Sequence, residues 1–286
     1  MKARAYAKIN WYLNILGKLS NGYHQLEMIM QHIDLYDDLD VQLLPDQQLT
    51  LKIENAESLA ASEDNLIIRA ARLLQSETGS PLGASIVLNK RIPMGAGLGG
   101  GSADAAAALI ALNKLWKLNR SLHELQRIGV RIGADIPYCL ESHPAIVCGI
   151  GEQVRPLEIQ NECWLLLLKP EASLSTKEVF VRYRHQDSER ADLERTVSML
   201  KTGEYRSLQS CCINSLQTPA IELLPPIQNL IQILYKNGAH FAQMSGSGSA
   251  VYGVFASRDE AEQAFHSVGC PCYRIVTKTL RTAEAL

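Results

Sequence analysis

The sequence predicts an α+β protein of two domains: an N-terminal mixed sheet with helices, followed by a C-terminal ferredoxin-like α/β sandwich. The chain has 286 residues, 47% of them hydrophobic, which suits two cores of ordinary domain size. Residues 1–44 read as long strands around a tight turn. From residue 163 onward, strand and helix patterns alternate, as they do in β-α-β units.

The first predicted elements are two long strands. The stretches 5-YAKINWYLNILG and 25-QLEMIMQHIDLYDDLDVQLL are strand-like and flank Asn21-Gly22, a strong hairpin turn signal. We therefore predict an antiparallel pair. The acids of 34-DLYDDLDV are expected on a solvated strand edge.

Two helices with a strand between them come next. Residues 62–79 open with Ser and acids, close with Gly79 and carry apolar residues at helical spacing. The strand 84-ASIVLNKRIP leads into 95-GAGLGGG, and 102-SADAAAALIALNKLWKL is a strong helix former throughout. Strand, glycine loop and helix therefore follow one another in order.

The domain boundary is predicted near Pro156, which gives domains over 1–157 and 158–286. Before it lies a helix over 121–133 that ends at a glycine, as helices often do. After it we predict strands over 163–170, 239–244, 250–256 and 272–280, and helices over 187–200, 225–238 and 258–269.

Composition narrows the function classes. The formal net charge is −2, so no overall field draws the protein to nucleic acid or to an anionic membrane. No apolar run approaches the length of a bilayer span, and the N-terminus lacks a signal core, which favours a cytoplasmic location.

The seven cysteines show no CxxC or zinc spacing and are expected to be reduced. A reactive thiol near Cys270 is the alternative.

The glycine loop predicts an anion site. A helix N-terminus leaves backbone N–H groups unpaired and carries partial positive charge, so a bare loop before it lets a phosphate approach closely. Ser102 is placed to cap the helix, to contact a phosphate oxygen or to help hold a magnesium ion.

Familiar phosphate loops do not fit. A Walker A loop needs Gly-Lys-Ser/Thr, but the one Gly-Lys pair, Gly17-Lys18, is followed by Leu19. Gly95, Gly97 and Gly100 match G-x-G-x-x-G, yet no second strand ending in an acid follows. A different phosphate cradle is required.

The stretch PMGAGLGGGSADA, which begins at Pro93, resembles the second motif of the GHMP kinases, named for galactokinase, homoserine kinase, mevalonate kinase and phosphomevalonate kinase. The segments 7-AKINWYLNILGKLSNGYHQLE, 133-GADIPY and 243-QMSGSGSAVYGVF resemble other motifs of that family, in the expected order. The sequence departs from the usual motifs at Trp11, Asn21, Ser245 and Ala250.

The resemblance implies a two-domain GHMP-kinase-like fold and assigns the chemistry. Asp135 is implied as the base toward the acceptor hydroxyl, and Lys8 as its partner and a contact of the reacting oxygen. Phosphoryl transfer needs a positioned hydroxyl and neutralisation of phosphate charge. Because a carboxylate beside an ammonium ion is a weak base, orientation is expected to be a large part of its work.

The resemblance also implies two binding sets. The ATP-binding set comprises Asn65, Leu66, Lys90, Pro93, Met94, Gly95, Ala96, Gly97, Leu98, Gly99, Gly100, Gly101 and Ser102. The substrate-binding set comprises Asn10, Tyr23, His24, Thr176, Phe180, Gly246, Ser247 and Gly248. Asn10 is expected to bond the sugar alcohol or to orient Lys8, and Lys90 reads as an exposed basic residue. The loop at 245–249 either lets backbone approach a diphosphate or permits a tight turn.

The resemblance implies an ATP- and Mg²⁺-dependent kinase of the non-mevalonate isoprenoid route, acting as a monomer or homodimer. Its acceptor would be the 2-hydroxyl of a cytidyl-diphosphate sugar alcohol. Another small-alcohol kinase of the family is an alternative, which Gly22-Tyr23-His24 argues against. A dinucleotide-dependent oxidoreductase and a non-catalytic nucleotide-binding module are the alternatives outside the family.

Overall fold

Two sheets organise the fold in the computed structural model, which describes residues 1–20, 22–56, 59–184 and 191–285. The strands are β1 (Lys2–Lys18), β2 (His24–Leu44), β3 (Leu49–Glu54), β4 (Gly83–Asn89), β5 (Ala145–Gly149), β6 (Gln153–Pro156), β7 (Trp164–Lys169), β8 (Phe241–Met244), β9 (Val251–Phe255) and β10 (Tyr273–Lys278). The helices are α1 (Leu66–Thr78), α2 (Gly100–Leu115), α3 (Leu122–Gly129), α4 (Ile136–Cys139), α5 (Thr176–Arg182), α6 (Leu193–Thr202), α7 (Gln217–Leu223), α8 (Pro226–Lys236) and α9 (Arg258–Ser267), with a 3-10 helix at Tyr205–Ser210.

The N-terminal sheet is centred on β2. Its order is β3-β4-β2-β5-β6, and β1 runs antiparallel to β2 along most of that strand. Only β3 and β4 are parallel, so the sheet is mixed, as predicted. The predicted antiparallel pair is confirmed, while Asn21 of its turn lies outside the described residues.

Helices α1 and α2 cover this sheet. Helix α1 begins after Asn65, whose Oδ1 accepts from the Ile67 N–H at 3.0 Å. Helix α2 is buried along most of its length, because its run of alanines lets it approach α1 and the strands closely. Both confirm the predicted helices, α2 starting two residues earlier at Gly100.

The C-terminal sheet has the order β10-β7-β9-β8 with every pair antiparallel. Helix α8 ends the long connection from β7 to β8, which also contains α5 to α7, and α9 connects β9 to β10, which gives the predicted ferredoxin-like arrangement. Helix α6 is shorter than the predicted 187–200, of which residues 187–190 lie outside the described part.

The end of the chain returns to the first half. Leu280 N–H donates to the His32 carbonyl at 2.9 Å, and Arg4 N–H donates to the Ala285 carbonyl at 2.7 Å. The boundary near residue 157 stays a prediction. None of the helices within the described ranges is long and apolar enough to cross a bilayer.

Candidate active site

A cavity of about 1440 Å³ lies among β1, the start of β2, the glycine loop and α5. It is larger than the few hundred Å³ of an ordinary small-molecule pocket, so it has room for two ligands. Two predicted residues, Asn65 and Gly248, are not on its wall. The predicted residues that line it are Lys8, Asn10, Tyr23, His24, Leu66, Lys90, Pro93, Met94, Gly95, Ala96, Gly97, Leu98, Gly99, Gly100, Gly101, Ser102, Asp135, Thr176, Phe180, Gly246 and Ser247.

The glycine loop ends at the N-terminus of α2. Gly99 is the N-cap, has a φ of 70°, and brings no side-chain hydrogen bond to the helix. The first turn of α2 contains no acidic residue. Because Gly100, Gly101 and Ser102 line the cavity, this helix start can accept an anion there. Ser102 is not the N-cap, which removes helix capping from the roles expected of it.

Packing explains part of the glycine content. Gly97 has a φ of 73°, and a Cβ there would lie 2.1 Å from the Ser245 carbonyl oxygen. A Cβ on Gly99 would lie 3.0 Å from Lys8 Cε. Real Cβ atoms do not approach backbone that closely, so Gly97 is required by a protein neighbour as well as by any ligand.

The loop at 245–249 packs on the glycine loop. Ser245 Oγ donates to the Gly97 carbonyl at 3.0 Å, and Ala250 N–H donates to the Ala96 carbonyl at 3.1 Å. Asn214 holds the other side of this loop, since its Nδ2 donates to the Met244 and Gly246 carbonyls, both at 2.9 Å. The two glycine-rich segments thus form one interlocked backbone floor.

Lys8 and Asp135 meet at this floor. Lys8 Nζ lies 3.3 Å from Asp135 Oδ2; the Lys8 side chain is 3% exposed and that of Asp135 is 32% exposed. Nζ also donates to the Gly97 carbonyl at 3.2 Å. The ammonium is therefore fixed from three sides by Asp135, the glycine loop and Asn10, while one carboxylate edge stays open to the cavity.

Asn10 is fully buried beside Lys8. Its Oδ1 accepts from Lys8 Nζ at 2.8 Å, and its Nδ2 lies 3.6 Å from Met28 Sδ. The Tyr252 hydroxyl donates to the Asn10 carbonyl at 2.9 Å from the C-terminal sheet. Of the two roles expected for Asn10, this geometry favours orienting Lys8.

Aromatic rings form the far end of the cavity. His24 stacks on Phe180 with centroids 5.1 Å apart, and Tyr183 meets His24 edge-on at 6.1 Å. Tyr23 is 59% exposed at the mouth. Burial, and then the Lys18 charge, lower the pKa of His24 below its ordinary value, which favours a neutral imidazole.

Helix α5 is tied to the loop at 245–249. The Thr176 and Ser247 hydroxyls are 2.8 Å apart at the first turn of α5. This contact fixes the helix that carries Phe180 relative to the phosphate end. The structure therefore brings the predicted residues Thr176, Phe180 and Ser247 together on one wall.

Lys90 lies differently from the prediction. It is buried, and its Nζ lies 2.5 Å from Asp37 Oδ2 and 2.8 Å from Asp104 Oδ2. The expectation of an exposed Lys90 is wrong. The prediction that 34-DLYDDLDV is a solvated edge is wrong for Asp37, which is fully buried because β2 lies in the middle of the sheet.

The site offers limited metal coordination. Across the described part of the chain, no group of three or more His, Cys, Asp or Glu side chains is arranged to hold a metal ion. Among the described residues on the cavity wall, the carboxylates are Asp104 and Asp135, and each already pairs with a lysine. This set fits a magnesium ion that arrives with ATP and keeps phosphate oxygens and waters as most of its ligands.

Sequence reasoning missed four side chains at this site. Asp104 stood inside the quoted motif, and Tyr183 follows Phe180 by one helical turn, so both had a local signal. Asp37 and Asn214 act over long sequence separations of 53 and at least 30 residues, for which no local pattern exists.

The chain is similar to known proteins over nearly its whole length. The family models described as GHMP kinases N terminal domain and GHMP kinases C terminal match residues 65–143 and 193–274. A 4-diphosphocytidyl-2-C-methyl-D-erythritol kinase from Lachnoclostridium phytofermentans is 38% identical, covering 92% of this chain and 90% of that protein. One from Macrococcus caseolyticus is 39% identical, covering 93% of this chain and 94% of that protein.

A solved structure agrees with these relatives. The crystal structure of a 4-(cytidine 5′-diphospho)-2C-methyl-D-erythritol kinase matches with a TM-score of 0.82 at 31% identity, covering 98% of this chain and 99% of that one. The predicted resemblance, fold and ATP-dependent kinase class are thereby confirmed. The chain belongs to the GHMP kinases and, within them, to the family of 4-diphosphocytidyl-2-C-methyl-D-erythritol kinases.

Proposed function

We propose that the chain transfers the γ-phosphoryl group of ATP to the 2-hydroxyl of 4-diphosphocytidyl-2-C-methyl-D-erythritol, yielding ADP and the 2-phosphate. ATP enters as its magnesium complex. The observation that carries this proposal is the Lys8–Asp135 pair, which lies between an anion-binding helix N-terminus and an aromatic end on one cavity. This spatial order matches the donor phosphate, the reacting hydroxyl and the cytosine ring of the acceptor.

The phosphates of ATP occupy the backbone cradle. The N–H groups at the start of α2 and the partial positive charge of that helix stabilise the phosphate oxygens. Ser102 adds a hydroxyl on the same wall. Because the loop carbonyls at 95–97 are engaged by Ser245, Ser249 and Ala250, the loop is pre-organised for this task.

Lys8 and Asp135 act on the acceptor hydroxyl. The open edge of the Asp135 carboxylate accepts a hydrogen bond from the hydroxyl, orients its oxygen toward the γ-phosphorus and takes its proton as the new P–O bond forms. The Lys8 ammonium stabilises the charge on the transferring oxygens. Asn10 keeps that ammonium in place.

The aromatic end holds the cytosine ring. Phe180 and Tyr23 offer ring faces for stacking, and His24 supplies a polar edge as a neutral imidazole. Thr176, Gly246 and Ser247 line the stretch between this end and the reaction point, where the diphosphate lies. The Tyr183 ring, close to His24, completes the wall.

The adenosine of ATP lies on the opposite side of the cradle. Leu66, Pro93 and Met94 line the cavity there, and Met94 is 42% exposed. Asn65 bonds Ile67 N and the Ala60 carbonyl, so its contribution is to hold the start of α1. Both matched family domains are kinase domains, which leaves the oxidoreductase and the non-catalytic module without support.

A coupled ADP-release assay tests this function. We expect ADP formation with the cytidyl diphospho-methylerythritol substrate and none with mevalonate, homoserine or galactose. Lys8→Ala and Asp135→Asn should each lower its rate at least about 100-fold, whereas Lys52→Ala, which removes an exposed lysine on β3, leaves it unchanged. Turnover of another alcohol alone would overturn the acceptor. The cytoplasmic location and the monomer or homodimer state stay predictions.

A further inference from the structure

Three charged side chains form a buried cluster beneath the phosphate cradle, which we call the buried triad: Asp37, Lys90 and Asp104. Asp37 comes from β2, Lys90 follows the end of β4, and Asp104 lies in the second turn of α2. Lys90 Nζ bridges the two carboxyl groups at 2.5 and 2.8 Å. The triad therefore connects the sheet, the entry of the glycine loop and the helix that follows it.

Asp37 also holds backbone. Its second oxygen, Oδ1, accepts from the Arg91 N–H at 2.5 Å and from the Ile92 N–H at 2.9 Å. These are the two residues that precede the loop at Pro93. The charged carboxylate thus fixes the direction in which the chain leaves β4, with hydrogen bonds stronger than neutral ones.

The triad reaches the first residue of α2. A Cβ built on Gly100 would lie 3.3 Å from Lys90 Nζ. The ammonium therefore lies close to Gly100, the first residue of the helix whose N–H groups are proposed to bind phosphate. A change in the triad displaces the floor of the cradle, because the interior is close-packed.

We propose that Asp37 and Asp104 are positioning residues for ATP, which act through Lys90 to fix the glycine-loop entry against the start of α2. This inference rests on the proposed ATP site. Neither carboxyl group has to touch the nucleotide. Their effect is to hold the backbone amides in the geometry that receives the phosphates.

The charge of the triad supports this role. Two ionised carboxylates and one ammonium would leave a net negative charge buried at a phosphate site. Burial raises the pKa of Asp104 well above its ordinary value; Lys90 opposes this rise and Asp37 adds to it. The raised pKa favours a proton on Asp104, which would make the triad neutral. The Oδ1 atom of Asp104 is buried without a hydrogen-bond partner. An un-ionised carboxyl group tolerates this better than a carboxylate does.

Calorimetric binding of magnesium-ATP, without acceptor, tests the proposal. Asp37→Ala and Asp104→Ala should each raise the Kd for ATP about tenfold, which is about 1.4 kcal/mol. Asp104→Asn should raise it less than threefold, because the amide keeps an oxygen for Lys90 and matches a neutral side chain. The Kd of the cytidyl acceptor, measured in the same way, should stay within twofold in all three variants.

The matched control is Asp38→Ala. Asp38 neighbours Asp37 on β2 and pairs with Arg91 Nη2 at 2.6 Å, but this pair is partly exposed. Its loss should leave ATP binding unchanged. An equal weakening of ATP and acceptor, or wild-type ATP affinity in Asp37→Ala and Asp104→Ala, would overturn the positioning role.

Two further outcomes separate this proposal from the proposed function. If Asp37→Ala does not fold, the contrast between Asp104→Ala and Asp104→Asn decides, and equal ATP affinity in those two contradicts the proposal. Wild-type protein that binds ATP with the expected variant pattern but does not phosphorylate the acceptor refutes the function alone. Wild-type protein that does not bind ATP refutes both.

Discussion

The two ends of the cavity are built from different parts of the chain. At the phosphate end, backbone carbonyls of 95–97 accept hydrogen bonds from 245–250, and Lys8 and Lys90 are buried among fixed partners. At the aromatic end, where we propose that cytidine binds, the surfaces are ring faces and exposed side chains, with Tyr23 59% and Val181 70% exposed. In the proposed function, the reacting groups are thus held by backbone geometry and buried charge, whereas the acceptor is bound by more exposed side chains.

The largest effect should come from a glycine at the rigid end. Gly97→Ala places a Cβ against the Ser245 carbonyl in a left-handed backbone conformation, so we expect at least a 100-fold loss of kcat/KM and several kcal/mol of lost stability. Gly22→Ala is the matched control, since Gly22 has a φ of 87° and nothing within 4 Å of a built Cβ. Gly22→Ala should lower the free energy of unfolding by only about 1 kcal/mol.

Activity assays and thermal unfolding of both variants measure this contrast. If the two glycine variants lose activity equally, the interlocked floor is not what distinguishes the phosphate end. A stable, active Gly97→Ala would show that the two loops separate at no cost.

The next effect concerns the aromatic end. Phe180→Ala removes a stacking face, worth roughly 1–3 kcal/mol per base, so the KM for the cytidyl acceptor should rise about 10- to 100-fold. The KM for ATP should stay within twofold. Leu122→Ala, a change at an exposed apolar residue of α3 that is not among the residues lining the cavity, should leave both constants within twofold. A rise in the KM for ATP alone would place the nucleotides the other way round in the cavity.

A smaller effect should follow from the contact between the two ends. Thr176→Val keeps the shape of the side chain but removes its hydrogen bond to Ser247. One such bond contributes about 0.5–1.5 kcal/mol, so the acceptor KM should rise about two- to tenfold. Thr176→Ser retains the hydroxyl and is the control. In steady-state kinetics its KM for the acceptor should equal that of the wild type. Equal constants in Val and Ser variants would contradict this link.

The smallest effect is a pH dependence at His24. Its folded-state pKa is lowered, first by burial and then by Lys18, so the ring stays neutral down to a lower pH than an unperturbed histidine at about 6.5. Acceptor affinity should be constant at pH values above this lowered pKa of His24 and fall only below it. Because the unfolded chain binds the proton more readily, the same protonation destabilises the fold as pH falls.

An NMR titration of the His24 ring measures this directly. Lys18→Met should raise the pKa of His24 toward its ordinary value, while Lys52→Met, on β3, should not. A His24 that titrates above 6.5 in the wild type would contradict the stated environment.

Local patterns predicted the long elements of the fold. The helix over 62–79 and the alanine-rich helix after the glycine loop follow from periodicity and end signals, and they correspond to α1 and α2. The short elements β3 and α5, of six and seven residues, were not predicted. Their positions are decided by pairing with β4 and by the contact with Ser247.

Some residues of the site could likewise be predicted from local patterns, and others could not. The glycine loop is readable as an anion site because helix N-termini have known physics, whereas Lys8 and Asp135 were assigned only through the family resemblance. Asp37 was misread since its partner Lys90 lies 53 residues away, and charge alone does not show which acid of a strand faces inward. Burial of an ion pair is a tertiary property, which a local pattern cannot encode.

Single-turnover transfer by Asp135→Asn tests the central claim most directly. With ATP and the cytidyl acceptor both bound, we predict a rate roughly 10²- to 10⁴-fold below wild type, and dissociation constants for both ligands within about threefold. That result would place Asp135 in the chemical step. Transfer at the wild-type rate by Asp135→Asn would contradict the account, because the Lys8–Asp135 pair would then only hold the fold.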